Sequence, residues 1–141
     1  GKARQPQDSV IKIKRKLKAL CKSSLSIDLT YRIKKINEVI RGWVNYFRIG
    51  SMKTVLQKID EHLRTMIRVI IWKQWKMPKK RLWGLKKLGV ENWIAHKVAY
   101  WGDCYQKVAT KSIVTRAISK EILTKRGLIS ISDYYQKVAH I

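Results

Sequence analysis

Acidic residues are scarce in this chain of 141 amino acids, which has nine Asp or Glu against 32 Lys or Arg and a formal net charge of +23. Acid is missing altogether from residues 62–90, where nine Lys or Arg accompany Trp72, Trp75 and Trp83. The surface of an ordinary soluble domain mixes both signs of charge. Because net charge constrains the partners of a protein rather than its fold, this excess of cations predicts an anionic partner.

Other absences exclude further classes of protein. Hydrophobic runs are short, as at Val69–Trp72, whereas a membrane-spanning helix needs about 20 apolar residues. No secretory signal is present, and Cys21 and Cys104 form no CxxC pair, which is typical of a reduced intracellular protein. Hydrophobic residues still make up 45% of the chain, so we expect a packed core rather than a disordered basic tail.

Groups that carry catalysis are also lacking. Asp60 and Glu61 are the one close carboxylate pair, and adjacent helical residues point about 100° apart. They therefore do not converge on two metal ions, as polymerase and nuclease chemistry requires. His62, His96 and His140 have no metal-ligand spacing with the cysteines, and no glycine-rich phosphate loop appears. We predict no catalytic residue, no metal and no cofactor, and expect a chain that binds rather than catalyses.

The repeat of hydrophobic residues is helical in nearly every segment. In the third predicted helix these residues recur at steps of three and four, as at Leu56, Ile59 and Leu63, which is typical of a helix in a bundle. We therefore predict a three-helix bundle over residues 1–77. The first helix is expected to follow a cap at Asp8 or Ser9 and to end at a polar loop over 22–26, the second to span 29–48, and the third 52–76.

The remaining residues, 78–141, are predicted to form a smaller helical annex, in which proline and glycine mark the ends of the helices. Pro78 ends the third helix, and Gly89 and Gly127 fit the left-handed position that follows a helix. The predicted fold class is thus all-α, a three-helix bundle followed by a smaller helical annex. The annex helices are expected up to Leu88, over 91–101, over 113–126 with Ser112 as cap, and after Ser130, while 103–111 could be extended.

The second predicted helix carries a row of cations. Lys34, Arg41 and Arg48 are seven residues apart, which is nearly two turns and places them on one side, about 10 Å apart along the axis. Such a row either binds phosphates or is a solvated cationic edge, and the residues alone leave both interpretations open.

Two further groups follow along the chain. Arg64, Arg68 and Trp72 share a line at four-residue steps, which lets cations grip phosphates while rings stack on bases. The alternative is that Trp72 and Trp75 join bundle and annex, with Arg68 in a cation–π contact. The cations around Pro78 form either an anion site at a helix N-terminus or a solvated loop. The predicted nucleic-acid-binding residues are Lys34, Arg41, Arg48, Lys53, Arg64, Arg68, Lys73, Lys76, Lys79, Lys80 and Arg81.

Four segments resemble one family in the correct order. The segment RGWVNYFR at 41–48 resembles the helix motif of the maturase domain in group II intron-encoded reverse transcriptases. IWKQWKMPK at 71–79 resembles the family's Trp-Lys-x-Trp-Lys-x-Pro signature. The segments 82–89, with Lys-Leu-Gly, and 125–130, KRGLIS, continue the resemblance. It extends over residues 9–136, the region that the family calls domain X, or the thumb.

The resemblance implies an RNA-binding domain that stabilises the folded intron RNA for splicing and helps to grip the template-primer duplex. The family's catalytic Tyr-x-Asp-Asp lies in the polymerase palm, and Asp133-Tyr134-Tyr135 is not that motif. The chain is thus expected to be a non-enzymatic fragment of an RNA-directed DNA polymerase, as its start at Gly1 also suggests. The implied partners are group II intron RNA, the template-primer duplex and the upstream fingers and palm, in a bacterial cytoplasm or an organelle and without a membrane.

Two other anionic partners remain as alternatives. The chain could be a DNA-binding architectural or regulatory helical protein, which would need no preference for RNA. An anionic membrane surface is the other candidate, but basic membrane-binding segments concentrate their charge in one cluster, whereas this charge is spread over many segments.

Overall fold

The computed structural model describes residues 6–22, 24–44, 53–100 and 112–139, and every regular element in these ranges is an α-helix. This confirms the predicted all-α fold class. The helices are α1 (Pro6–Leu20), α2 (Leu29–Val44), α3 (Lys53–Gln74), α4 (Pro78–Lys87), α5 (Asn92–Ala99), α6 (Ser112–Ala117), α7 (Lys120–Lys125) and α8 (Ile131–Ala139).

The chain forms two compact units. The first unit comprises residues 1–63 and 127–141, and the second comprises residues 64–126. Helix α3 contributes its first half to one unit and its second half to the other. The predicted division into a bundle and an annex after residue 77 stays a prediction.

In the first unit, α2 packs against both α1 and α8. The buried residues of α2 include Ile33, Ile36 and Ile40, whose spacing of three and four places them on one face of the helix. Helix α1 buries Ile13 and Leu17 at the same kind of spacing. Each of these two helices therefore buries one hydrophobic face in the first unit.

A buried arginine fixes the connection from α1 to α2. Arg32 is only 2% exposed, and its guanidinium group donates hydrogen bonds to the backbone oxygens of Leu20, of Lys22 at 3.1 Å and of Leu25 at 2.8 Å. Burial lowers the pKa of Arg32, an effect that the thiol of Cys21 partly opposes. The carbonyls at the C-terminal end of a helix have no partner within the helix, so Arg32 supplies one for α1.

Two side chains hold the segment that leads into α8. The Asn37 amide donates to the Gly127 oxygen at 2.7 Å and accepts from the Ile129 N–H at 3.0 Å. Asp60 is buried, and its carboxylate accepts from the Ile131 N–H at 2.7 Å and from the Ser132 N–H at 2.8 Å. A carboxylate at this position satisfies N–H groups that a helix start leaves open. Asp60 is therefore a structural group of the first unit.

The second unit packs α5 against α4 and α6, and two more buried arginines bind helix ends within it. Arg68 is 4% exposed and donates through Nε to the Ile118 oxygen at 2.7 Å, just beyond the end of α6. Arg81 is 2% exposed and donates through Nε to the Trp75 oxygen at 2.8 Å, just beyond the end of α3. Like Arg32, each arginine donates to a backbone carbonyl at the C-terminal end of another segment's helix, where carbonyls have no partner within the helix.

Several predicted boundaries differ from the structure. Helix α1 begins at Pro6, before the predicted caps at Asp8 and Ser9, because proline is compatible with the first helical position. The predicted helix over 113–126 is interrupted after Ala117. Ser119 there accepts a hydrogen bond from the Ile122 N–H at 3.2 Å and caps a separate helix. Helix α5 begins at Asn92, one residue later than predicted. The predicted end of the second helix and start of the third fall in residues 45–52, which lie outside the described part, as do residues 101–111.

The predicted glycine stops are confirmed. Gly89 and Gly127 have φ values of +95° and +110°, a left-handed conformation in which glycine avoids the strain of a side chain. Gly84 has a different reason to be glycine. A Cβ atom added there would lie 2.3 Å from Cε2 of Trp75, so the indole ring of Trp75 occupies the space above Gly84.

We predict opposite effects for two glycine-to-alanine changes in helices. Gly84→Ala should lower the free energy of unfolding by about 1–3 kcal/mol, because the added methyl group displaces the Trp75 ring. Gly42→Ala in α2 is the matched control, since an added Cβ meets nothing within 4 Å. It should raise the free energy of unfolding by about 0.5–1 kcal/mol through helix propensity alone. Urea denaturation of the chain measures both, and equal stabilisation by the two changes would contradict the packing of Trp75.

We also predict an unreactive thiol at Cys21. Burial outweighs the positive charge of Arg32 and raises the pKa of Cys21 to about 11. In a Cys104→Ser background, the rate of alkylation by iodoacetamide should therefore rise with pH to an inflection near 11. The same chain unfolded in guanidinium chloride should show its inflection at about 8.5. Identical pH profiles in the two states would contradict the burial of this thiol.

Candidate nucleic-acid interface

The row of cations predicted on α2 is exposed where the structure describes it. Lys34 and Arg41 are both exposed and lie nearly two turns apart on one side of the helix. Arg48, the third member, lies outside the described residues. Lys53, at the start of α3, is exposed as well. Lys34, Arg41 and Lys53 belong to the first unit.

The cations of the second half of α3 have different environments. Arg64 and Lys73 are half-buried, whereas Arg68 is buried and bonded to the Ile118 oxygen. Burial, together with the neighbouring charge of Arg64, lowers the pKa of Arg68 to about 10. The sequence alone placed Arg68 among the nucleic-acid-binding residues, and that assignment stays a prediction. Its donors serve the backbone of the second unit.

The junction before α4 exposes three ammonium groups. Lys76, Lys79 and Lys80 are exposed on either side of Pro78, which is the first residue of α4. Met77 precedes the helix in an extended conformation, and its side chain does not cap the helix. The N-terminus of α4 therefore adds its partial positive charge to those of the lysines. This arrangement suits an anion such as a phosphate.

Arg81 separates from this group in the structure. Its guanidinium carbon lies 4.9 Å from the centre of the Trp72 ring, and its Nε is bonded to the Trp75 oxygen. The assignment of Arg81 to nucleic-acid binding also stays a prediction, and the structure buries its side chain. Trp72 has no exposed surface, so its ring is part of the core and does not stack on bases. Its cation–π partner is Arg81 rather than the predicted Arg68.

The structure exposes aromatic surface that the predicted site omitted. Trp83 on α4 is 59% exposed and Trp93 on α5 is 66% exposed. The ammonium group of Lys87 lies 4.7 Å from the centre of the Trp83 ring. The signal was present in the sequence, because lysines occur three and four residues before and after Trp83. Neighbours at these spacings share a helix face.

Neither a metal site nor a membrane-spanning helix is present within the described ranges. They contain no group of three His, Cys, Asp or Glu side chains arranged to hold a metal ion. None of the described helices combines the length and hydrophobicity needed to cross a bilayer. A groove of about 480 Å³ between α1 and α2 is lined by Ser9, Lys12, Ile13, Lys16, Glu38, Val39, Gly42 and Trp43. The one acidic residue that lines this groove, Glu38, forms an ion pair with Lys35 at 3.4 Å.

A family model agrees with this reading of the chain. The model of the group II intron, maturase-specific domain matches residues 10–89, which is more than half of the chain. The matched residues run from α1 to the glycine turn after α4, and they include the exposed cations of α2, α3 and α4. Among curated proteins, no sequence matches the chain. On the strength of the family match, the chain belongs to the family of group II intron maturase-specific domains.

Proposed function

We propose that this chain binds group II intron RNA and stabilises the folded ribozyme for splicing. The observation that carries the proposal is the exposure of cations in a segment without acid, within a domain of the maturase-specific family. Lysine and arginine that contact phosphates release counterions from the nucleic acid, which favours binding. A protein that binds folded RNA more tightly than unfolded RNA stabilises the fold by mass action.

The proposed contacts are the predicted cations that the structure leaves accessible. RNA helices are recognised mainly by shape and backbone, because their narrow major groove hides the bases. Exposed or half-buried cations meet that requirement, and buried arginines do not. We therefore exclude Arg68 and Arg81 and leave Arg48 as a prediction from sequence. The proposed contact residues are Lys34, Arg41, Lys53, Arg64, Lys73, Lys76, Lys79 and Lys80.

The proposal extends to the longer protein that such a domain belongs to. We propose that the chain follows the fingers and palm of a reverse transcriptase and helps to grip the template-primer duplex as its thumb. The catalytic carboxylates would then lie in the palm, and this chain would supply cations rather than a reacting group. That role is compatible with the single close carboxylate pair, because Asp60 is engaged with the N-terminus of α8.

The test is a competition between two nucleic acids combined with a salt titration. The chain is bound to a labelled group II intron fragment, and unlabelled duplex DNA is added at equal concentration. We expect the intron RNA to remain bound, and the logarithm of the affinity to fall linearly with the logarithm of salt concentration. Displacement by duplex DNA would favour the DNA-binding alternative and contradict the proposed function.

Substitution at the α4 junction tests the contact residues. Lys76→Gln, Lys79→Gln and Lys80→Gln together should reduce the magnitude of the salt slope by about 2–3, since each lost phosphate contact removes about 0.7–0.9. The chain with Lys12→Gln, Lys14→Gln and Lys18→Gln, all exposed on α1 and outside the proposed contacts, is the control with equal net charge. An equal reduction in both variants would refute the site assignment and leave the family unchanged.

A further inference from the structure

Trp83 is an exposed ring surrounded by cations along its helix. Its neighbours at three and four positions are Lys79, Lys80, Lys86 and Lys87, and all four are exposed. Residues at these spacings lie on the same face of a helix. The opposite side of α4 buries Arg81, Gly84 and Leu85. The face centred on Trp83 therefore presents a flat apolar ring, with two ammonium groups on the N-terminal side of the ring and two on its C-terminal side.

This face is unfavourable for the chain on its own. Its lysines carry like charges close together, which repel each other, and an exposed indole leaves apolar surface in water. Lys87 covers part of the ring from 4.7 Å, but α4 contains no acidic residue to balance the lysines. A ligand that offers both negative charge and a flat surface would relieve both costs.

An unpaired nucleotide has both of these properties. Its base is free to stack on an aromatic side chain, and its flanking phosphates attract ammonium groups. In a duplex the same base is stacked between its neighbours, and RNA recognition through bases therefore targets loops, bulges and ends. A ring on the outer face of a helix matches such a base.

Trp93 provides an internal comparison. It is as exposed as Trp83, but its Nε1 donates to the Glu91 carboxylate at 2.6 Å. The residues at three and four positions from Trp93 are Gly89, Val90, His96 and Lys97. A carboxylate bonded to the indole edge repels phosphate, so exposure of the ring alone does not create the arrangement found at Trp83.

We propose that Trp83 is a stacking platform for an unpaired base of the bound RNA, with the flanking phosphates held by Lys79, Lys80, Lys86 and Lys87. The inference rests on the proposed function and deepens it, since it assigns a nucleotide in a loop or bulge to α4. It also adds Trp83, Lys86 and Lys87 to the residues in contact with RNA.

The experiment uses the 141-residue chain and an RNA hairpin with 2-aminopurine in its loop. Stacking of 2-aminopurine on Trp83 should quench its fluorescence on binding. Trp83→Leu should abolish this quenching. It should also weaken hairpin binding about 5- to 150-fold, the range for loss of one base–aromatic stack. Trp83→Phe keeps a ring and should remain within about threefold of the unsubstituted chain. Trp93→Leu is the matched control and should leave binding and quenching unchanged.

The lysines are tested separately by salt dependence. Lys86→Gln with Lys87→Gln should reduce the magnitude of the salt slope for the hairpin by about 1.4, because each contact with single-stranded nucleic acid contributes about 0.7. Lys14→Gln with Lys18→Gln on α1 makes the same change in net charge and should alter the slope less. Equal slopes for the two double variants would overturn the assignment of phosphates to α4.

Three other results would overturn the platform. The first is that Trp83→Leu leaves the affinity for the hairpin unchanged. The second is that Trp83→Phe and Trp83→Leu lose the same amount of affinity. The third is that Trp83→Leu weakens binding of a fully paired RNA duplex as much as binding of the hairpin. Loss of binding to a purified fingers and palm fragment, with RNA affinity intact, would assign Trp83 to a protein interface instead. In each of these cases, retained preference for intron RNA over duplex DNA would leave the proposed function standing. Failure of the unsubstituted chain to bind either RNA would reject both.

Discussion

Hydrogen bonds from buried guanidinium groups to backbone carbonyls at helix ends are the interaction on which this structure depends. Arg32 binds the end of α1, Arg81 the residue after α3, and Arg68 the residue after α6. Burying a charge is costly unless it is hydrogen-bonded, and carbonyls at a helix C-terminus carry partial negative charge. In a chain with few carboxylates, these carbonyls are the available acceptors. Three helix ends thereby gain partners, and the turns that follow them are fixed.

This arrangement divides the cations into two classes. The guanidinium groups of Arg32, Arg68 and Arg81 serve inside the units, where the several planar donors of one group can reach more than one carbonyl, as in Arg32. Lysines of α4 remain exposed, because a compact ammonium group is more strongly hydrated than a guanidinium. The exposed class is then available to phosphates without loss of internal bonds. The net charge is therefore larger than the positive charge that the surface offers to a partner, since some of the cations are engaged in the fold.

The aromatic residues divide in the same way. Trp72, on α3, is in the core beneath Arg81, and Trp75 packs over Gly84 of α4, whereas Trp83 faces outward from α4. Packing of Trp75 on Gly84 fixes which side of α4 is buried. Because a helix turns by about 100° per residue, that choice also fixes Trp83 and its lysines on the outside. The packing of the second unit thus determines the surface that we assign to RNA.

The sequence by itself determined the all-α class, the helix stops at Gly89 and Gly127, and the family, because these depend on local periodicity, backbone freedom and ordered motifs. It did not separate Arg68 and Arg81 from the exposed cations, since a guanidinium on a helix has the same local pattern whether its acceptor is a phosphate or a carbonyl 50 residues away. The sequence also predicted a single helix over 113–126, where the structure has two helices and Ser119 caps the second. Only the tertiary structure decided these points, because burial and long-range acceptors are properties of the folded chain.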